Sequence, residues 1–126
     1  MLKELKFYHC PHCHKVVEVL DAGKGALTCC QEEMEVLVAN TRDAASEKHV
    51  PVITRKDGKI EVKVGSTTHP MTEEHLIEWI VLVSEHMIQR VELSPDVEPK
   101  AVFADVEGPV AAYEYCNLHG LWKAEA

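Results

Sequence analysis

The chain has 126 residues and a formal net charge of −8, with 46% hydrophobic and 27% charged residues. This is the composition of an ordinary soluble globular protein, and the length allows one domain or two small ones. No basic block offsets the acidic charge, which argues against general nucleic-acid binding. No apolar run approaches the roughly 18 residues needed to cross a bilayer, and the first residues contain no hydrophobic signal segment. We therefore expect a cytoplasmic protein that binds neither membranes nor nucleic acid.

Four of the five cysteines precede residue 31, as one pair separated by two residues and one adjacent pair: Cys10, Cys13, Cys29 and Cys30. The first pair forms a knuckle that can present both sulfurs to one metal. A predicted strand over 15–20 and a turn over 21–25 return the second pair to it. A segment of fewer than about 40 residues rarely folds on a hydrophobic core alone. Residues 1–37 are therefore predicted to form a small domain stabilised by a four-thiolate metal.

Two other interpretations of these cysteines remain open. Cys10-Pro11-His12-Cys13 also occurs as the active-site tetrad of some disulfide oxidoreductases, where it opens a helix in a βαβ setting. Here a valine-rich strand follows, and that chemistry gives Cys29-Cys30 no role. Zinc is the second alternative, since four thiolates suit zinc and iron alike. Because four sulfurs complete a tetrahedron, we predict that His9, His12 and His14 face solvent.

Residues 38–48 are predicted to be a linker with a short helical turn through residues 44–45, capped by Asn40 or Thr41. The linker delivers Glu47-Lys48-His49 to the start of a strand. A lone Glu-Lys pair is usually part of a solvated face, and only the neighbouring histidine draws attention to it.

A β-hairpin is predicted around Asp57-Gly58, a strong two-residue turn signal. Its strands cover 50–56 and 59–64, and apolar residues alternate with charged ones in the second strand, so one face is buried. This register sets His49 beside the segment Ser66–His69. The hairpin therefore brings two histidines together.

A reactive metal site follows from the remaining histidines and the fifth cysteine. His75 lies on the same loop as His69, whereas Cys116 and His119 stand three positions apart at the end of an apolar run. An unpaired cysteine is most often an inert small hydrophobe, and the histidines are the reason to favour a ligand role here. The candidate ligands of one reactive iron are His49, His69, His75, Cys116 and His119.

The second half of the chain has the pattern of an all-β domain. A turn followed by a buried strand is predicted within 72–87, and further strands cover 87–93, 101–106 and 110–115. Short strands at regular spacing with turn signals between them predict an antiparallel β-sandwich for residues 49–126.

These motifs together resemble the desulfoferrodoxin family of two-iron superoxide reductases, over essentially the whole chain. The two N-terminal cysteine pairs resemble a desulforedoxin domain. Three segments and His75 resemble the superoxide reductase domain: Glu47-Lys48-His49-Val50-Pro51, His69-Pro70-Met71 and Cys116-Asn117-Leu118-His119-Gly120. His14 stands where the family commonly has glycine, so a backbone with positive φ is expected there.

The resemblance implies a desulforedoxin-like domain followed by an immunoglobulin-like sandwich, in a homodimer. It implies one iron on the four N-terminal cysteines. It further implies a second iron with an axial Cys116 and four equatorial imidazoles, from His49, His69, His75 and His119. Glu47 is implied to occupy the sixth position when this iron is ferric, with Lys48 beside that position.

The activity implied is the one-electron reduction of superoxide to hydrogen peroxide, a defence against oxidative stress. The sequence contains no flavin or nicotinamide motif, so electrons must come from outside, and the resemblance suggests a rubredoxin-like donor with the four-cysteine iron as a relay. Two rival functions remain. One is an electron carrier whose iron has no open position; the other is a binding module made of a zinc ribbon and a β-sandwich with a structural metal.

Overall fold

The structure, a computed structural model, describes residues 2–42 and 44–126. Met1 of the predicted first domain and Asp43 of the predicted linker lie outside the described residues. The chain forms two compact units, a small one over Glu4–Val38 and a larger one that contains Ala39–Ala126. Across the described ranges, no helix has the length and apolar character needed to span a membrane.

The small unit consists of five short strands: β1 Lys6–His9, β2 Val16–Val19, β3 Thr28–Cys29, β4 Glu32–Glu33 and β5 Glu35–Val36. They form a three-stranded sheet in the order β2-β1-β5 and a separate β3-β4 pair. Strand β2 confirms the prediction over 15–20. Leu5, Phe7, Cys10 and Met34 are the buried apolar residues described in this unit. Because this core is so small, we expect a metal bound by the four cysteines to contribute much of the unit's stability.

In the part of the larger unit that the structure describes there are one short helix and seven strands: α1 Ser46–His49, β6 Pro51–Lys56, β7 Lys59–Val64, β8 Ile77–Val83, β9 Ile88–Glu92, β10 Lys100–Ala104, β11 Ala111–Cys116 and β12 Gly120–Glu125. Two sheets form, in the orders β10-β7-β6 and β12-β11-β8-β9. All their pairings are antiparallel. Seven strands in two antiparallel sheets match an immunoglobulin-type sandwich, which confirms the predicted fold class.

The core of the sandwich lies between the two sheets. Ile60, Val62 and Val64 of β7 belong to the same buried cluster as Ile80 and Leu82 of β8. All five side chains are 0% exposed. The alternation in β7 arises because successive side chains of a strand point to opposite faces.

The predicted hairpin is present. Strands β6 and β7 pair from Pro51↔Val64 to Lys56↔Lys59, so Asp57 and Gly58 form the turn. Their φ angles are 52° and 72°, as a turn matched to the right-handed strand twist requires. Four later strands, β8, β9, β10 and β11, also overlap the predicted segments.

The predicted helical turn is displaced. Helix α1 begins at Ser46 with Ala45 at its N-cap and has no side-chain cap. Asn40 instead adopts a φ of 61°, and its amide pairs with the backbone of Lys123: Nδ2 donates to the carbonyl at 3.0 Å, and Oδ1 accepts the N–H at 2.9 Å. The polar side chain expected to cap a helix therefore joins the chain to β12, which was not predicted.

Candidate metal centres

Among the described residues there are two clusters of potential metal ligands. The larger contains the five predicted residues His49, His69, His75, Cys116 and His119, whose donor atoms all lie within 4.8 Å of one another. His49 Nε2 lies 3.1 Å from His69 Nε2 and 3.1 Å from His119 Nδ1. Two nitrogens bound about 2.1 Å from one ion, at a right angle, would be about 3 Å apart. The spacing therefore fits shared ligation of a single ion.

Backbone contacts orient two of the rings. His49 Nδ1 lies 2.8 Å from the carbonyl oxygen of Ala45, and His69 Nδ1 lies 2.6 Å from that of Pro70. When each Nδ1–H donates to its carbonyl, Nε2 is left as the metal-binding atom. His75 Nε2 is buried without a hydrogen-bond partner. A metal would satisfy this atom, since buried polar atoms are rarely left unpaired.

Burial favours the neutral form of three of the four imidazoles. Burial lowers the pKa of His49 and His75, and lowers the pKa of His69 to about 4. Histidine must be neutral to bind a metal. These three rings are therefore ready for ligation at neutral pH.

Cys116 is the one sulfur in this cluster and is 0% exposed. Its Sγ lies 3.5 Å from His69 Nε2 and 3.9 Å from His119 Nδ1. Burial raises the pKa of this thiol, against the backbone N–H groups of Leu118 and His119, which bond to the sulfur and lower it. A thiolate enclosed by neutral rings requires a cation nearby. A bound metal therefore explains this set of donor atoms better than an inert Cys116 thiol does.

The loop that carries Cys116 and His119 is a hairpin loop between β11 and β12, closed by the pair Cys116↔Gly120. Asn117 joins it to the loop of His75: its Oδ1 accepts the N–H of Leu76 at 3.0 Å, and its Nδ2 donates to the carbonyl of Glu74 at 2.9 Å. Asn117 is not among the predicted site residues. Its only signal was its fixed place between the cysteine and the histidine.

Helix α1 and Gly65 position His49. Gly65 has a φ of 76°, and a Cβ added to it would lie 2.6 Å from the carbonyl oxygen of Glu47. Only glycine permits this approach. The N–H of Thr67 donates to the same oxygen at 2.8 Å. Glu47 and Lys48 are both exposed on this helix, immediately before the buried His49.

Trp122 supports the site from β12. Its ring stacks on His49 with centroids 4.9 Å apart and an interplanar angle of 25°. Its Nε1–H donates to the carbonyl of His119 at 3.1 Å. This tryptophan was missed because β12 was not predicted.

The second cluster lies in the small unit and contains Cys10, Cys13, Cys29 and Cys30, with donor atoms within 4.8 Å of one another. The Sγ atoms of Cys13 and Cys29 are 3.6 Å apart. The backbone N–H of Cys13 lowers the pKa of Cys10 to about 6, whereas hydrogen bonding with the sulfur of Cys10 raises that of Cys30 to about 12. Ionised Cys10 thus opposes ionisation of Cys30, and a bound cation would allow both sulfurs to be thiolates.

The three histidines near this cluster are outside it. His12 pairs with Glu32 at 2.9 Å, and His14 is exposed. His14 has a φ of 66°, the positive value expected for it. His9 is half-buried and stacks on His14 with centroids 5.7 Å apart, so it does not fully face solvent as predicted.

The fold and the two clusters define a small β protein with two sites suited to metals, and comparison with known proteins gives its family. The family model Desulfoferrodoxin matches residues 41–125, and the model Desulfoferrodoxin, N-terminal domain, matches residues 3–37. The chain belongs to the desulfoferrodoxin family.

Individual relatives agree over most of the chain. A desulfoferrodoxin of Syntrophotalea carbinolica is 50% identical over 125 residues, 99% of each chain. A superoxide reductase of Thermococcus kodakarensis is 42% identical over 102 residues, covering 66% of this chain and 89% of that one. The crystal structure of the superoxide reductase from Treponema pallidum superposes with a TM-score of 0.76 at 38% identity, covering 97% of this chain and 99% of that one.

Proposed function

We propose that this chain is a superoxide reductase, which reduces superoxide to hydrogen peroxide at a non-haem ferrous centre. The observation that carries the proposal is the cluster of four histidines and one cysteine with its donor atoms within 4.8 Å. Relatives and structural neighbours that are named superoxide reductases support it. The ligands would be His49, His69, His75 and His119, with Cys116 as the thiolate.

The reaction consumes one superoxide, one electron and two protons and releases one hydrogen peroxide. Bound ferrous iron would supply the electron and an open coordination position for the anion. The buried Cys116 thiolate would push electron density toward that position, and the backbone N–H groups of Leu118 and His119 would temper this donation. The neutral imidazoles add no charge of their own that would hold the anionic product.

Glu47 and Lys48 would act on the open side of the site. Both are exposed on α1 directly before His49. Lys48 would attract the anion and hold the water that delivers the first proton, whereas Glu47 would cover the site in the ferric state. The ferric absorption spectrum of Glu47→Ala tests the second role, because an unchanged spectrum at every pH would mean that the carboxylate never reaches the metal.

Cys10, Cys13, Cys29 and Cys30 would hold a second iron that relays electrons from a rubredoxin-like donor. Their mutual effects on ionisation support a bound cation. In functional terms we divide the chain into residues 1–37 for this iron, 38–48 as a connection and 49–126 for the reactive iron. We further propose a cytoplasmic homodimer, in line with the family resemblance.

Metal analysis of the purified protein tests this assignment against its rivals. We expect two irons per chain and visible thiolate bands from both centres. A zinc-ribbon binding module would instead be colourless and contain zinc. A pure electron carrier would contain iron but leave superoxide unconsumed under anaerobic conditions.

A further inference from the structure

Arg42 lies against the loop that carries two of the proposed ligands. Its Nη2 donates to the carbonyl oxygen of Leu118 at 3.3 Å. Its side-chain stem crosses Gly120, where an added Cβ would lie 3.2 Å from the Arg42 Cγ. Two residues earlier, Asn40 fixes the backbone to β12 through its bonds with Lys123. The guanidinium is therefore placed over the turn by packing as well as by its hydrogen bond.

The peptide group that Arg42 contacts also contacts the sulfur. The carbonyl of Leu118 and the N–H of His119 belong to one planar peptide unit. That N–H is one of the two backbone donors to the Cys116 sulfur. A cationic donor on the carbonyl polarises the peptide and strengthens the hydrogen bond on its other side, by about 10–30% in linked hydrogen bonds. Arg42 is thus coupled to Cys116 through a single peptide.

We propose that Arg42 is a positioning residue that tempers the electron donation of the Cys116 thiolate through the peptide between Leu118 and His119. The inference rests on the proposed iron at this site. Hydrogen bonds to a ligating sulfur withdraw electron density from it and raise the reduction potential of the metal. Arg42 therefore weakens the iron–sulfur bond and makes the reduced state easier to reach.

The test compares two substitutions of Arg42 in the full, iron-loaded protein. Arg42→Leu keeps an apolar stem over Gly120 but removes the donor, whereas Arg42→Lys keeps the charge and loses the planar guanidinium. Resonance Raman spectroscopy gives the iron–sulfur stretching frequency of the ferric site, with the bands of the four-cysteine iron as an internal reference. Arg42→Leu should raise this frequency and lower the reduction potential, and Arg42→Lys should give a smaller shift in each.

Lys56→Gln is the matched control, since it removes an exposed positive charge at the far end of strand β6, beside the Asp57-Gly58 turn. It should leave the iron–sulfur frequency unchanged. If Arg42→Leu and Lys56→Gln lowered the potential equally, with no change in frequency, the effect would be one of net charge and the inference would be wrong.

Iron content separates failure of this inference from failure of the proposed function. A parent protein without iron at the second site would contradict the function itself. Iron-loaded Arg42→Leu with the parent's frequency and potential would overturn only the role of Arg42. If Arg42→Leu did not fold, Arg42→Lys would decide: a raised frequency supports the role, and an unchanged one contradicts it.

Discussion

At the scale of single residues, Cys116 decides what kind of chemistry the cluster can perform. It is the only sulfur among the five donors, and the other four are imidazole nitrogens. Cys116→Ser exchanges a charged soft donor for a weak neutral one. We expect a much higher reduction potential and superoxide reduction slower by about 100-fold or more, since even changes behind the ligands cost about 10- to 100-fold. Redox titration and pulse radiolysis measure the two effects.

Iron content is the necessary control for Cys116→Ser. A variant that retains its iron and reduces superoxide at a near-normal rate would remove the thiolate from the mechanism.

Lys48 is the cation adjacent in sequence to a proposed ligand, in a chain with a net charge of −8. The overall field repels superoxide, so a local positive charge must act close to the site. Charge-lined sites raise association rates by about 10- to 1,000-fold, and one exposed lysine belongs at the low end. Lys48→Ile should therefore slow the encounter about tenfold at low salt, equivalent to about 1.4 kcal/mol.

Salt dependence separates steering by Lys48 from a general effect of charge. The difference in encounter rate between the parent and Lys48→Ile should become smaller as added salt shortens the Debye length, which is about 10 Å at 0.1 M salt. The control is Lys59→Ile, which removes the same charge at the start of β7, the end of that strand remote from Gly65 and α1. Its rate of encounter with superoxide should equal that of the parent. Equal encounter rates for Lys48→Ile and the parent at every ionic strength would show that Lys48 is an ordinary solvated residue with no part in steering superoxide.

The members of the two candidate ligand clusters could be predicted from the sequence because their chemistry is carried by residue type. Histidine and cysteine at these spacings indicate a metal wherever the chain brings them together. Gly65, Asn117 and Arg42 could not be found in this way, because each acts through contacts with residues distant in sequence. Asn117, for example, bonds to Leu76 and Glu74, and only the folded loops make those neighbours.

At the scale of elements, the junction between β7 and α1 holds His49 in place. A Cβ on residue 65 would lie 2.6 Å from the carbonyl oxygen of Glu47 and 2.7 Å from that of Lys48, both backbone atoms. Gly65→Ala should therefore displace α1 and lower iron binding at the second site. We expect a loss of about 1–3 kcal/mol in unfolding free energy, the usual cost of overpacking. Iron content and urea unfolding measure both effects.

Gly58→Ala supplies the matched control for Gly65→Ala. Gly58 also has a positive φ, 72°, but an added Cβ there would meet nothing within 4 Å. Gly58→Ala should therefore lose unfolding free energy through its positive φ alone, without a steric clash. If the two variants bound iron equally and lost equal stability, close packing of α1 against residue 65 would have no part in the site.

The elements themselves were predictable where their signals are local. The hairpin follows from Asp57-Gly58 and the alternation in β7, because turn chemistry and register are set by neighbours in sequence. The predicted helical turn begins too early in the chain because Asn40 does not cap a helix. Its side chain instead bonds to the backbone of Lys123, 83 positions away. Strand β12 was missed because its pairing with β11 defines it more than its own composition does.

At the scale of the whole molecule, the two clusters fall in different compact units. Cys13→Ser should remove or disturb the first iron, while the second iron and superoxide reduction with a chemical reductant largely survive. Iron content and anaerobic superoxide consumption measure this. A folded variant that kept its second iron and yet failed to reduce superoxide would make the first centre obligatory.

Buried histidines give the metal-free protein an acid-sensitive stability. Burial lowers the pKa of His69 to about 4 in the folded state, whereas an unfolded histidine titrates at about 6.5. Between these values the unfolded chain binds a proton that the folded chain does not, so the free energy of unfolding falls as pH falls. The buried Glu114 carboxyl, whose pKa is raised by burial, opposes this trend because it keeps its proton in the folded state. The decline is therefore measured in metal-free Glu114→Gln, by urea unfolding between pH 6.5 and 5.

The control for this pH dependence is His86→Gln, because the His86 side chain is 90% exposed and its loss should leave the slope unchanged. Metal-free Glu114→Gln equally stable at pH 6.5 and 5 would mean that the buried rings accept protons without cost.

The central claim is that this chain reduces superoxide instead of dismutating it or merely carrying electrons. The most direct measurement is the anaerobic stoichiometry of the iron-loaded protein with excess chemical reductant, following superoxide consumed, hydrogen peroxide formed and dioxygen evolved. We predict one hydrogen peroxide per superoxide and no dioxygen. One hydrogen peroxide and one dioxygen for every two superoxides would identify a dismutase, and no protein-dependent consumption would identify an electron carrier; either result would contradict the account.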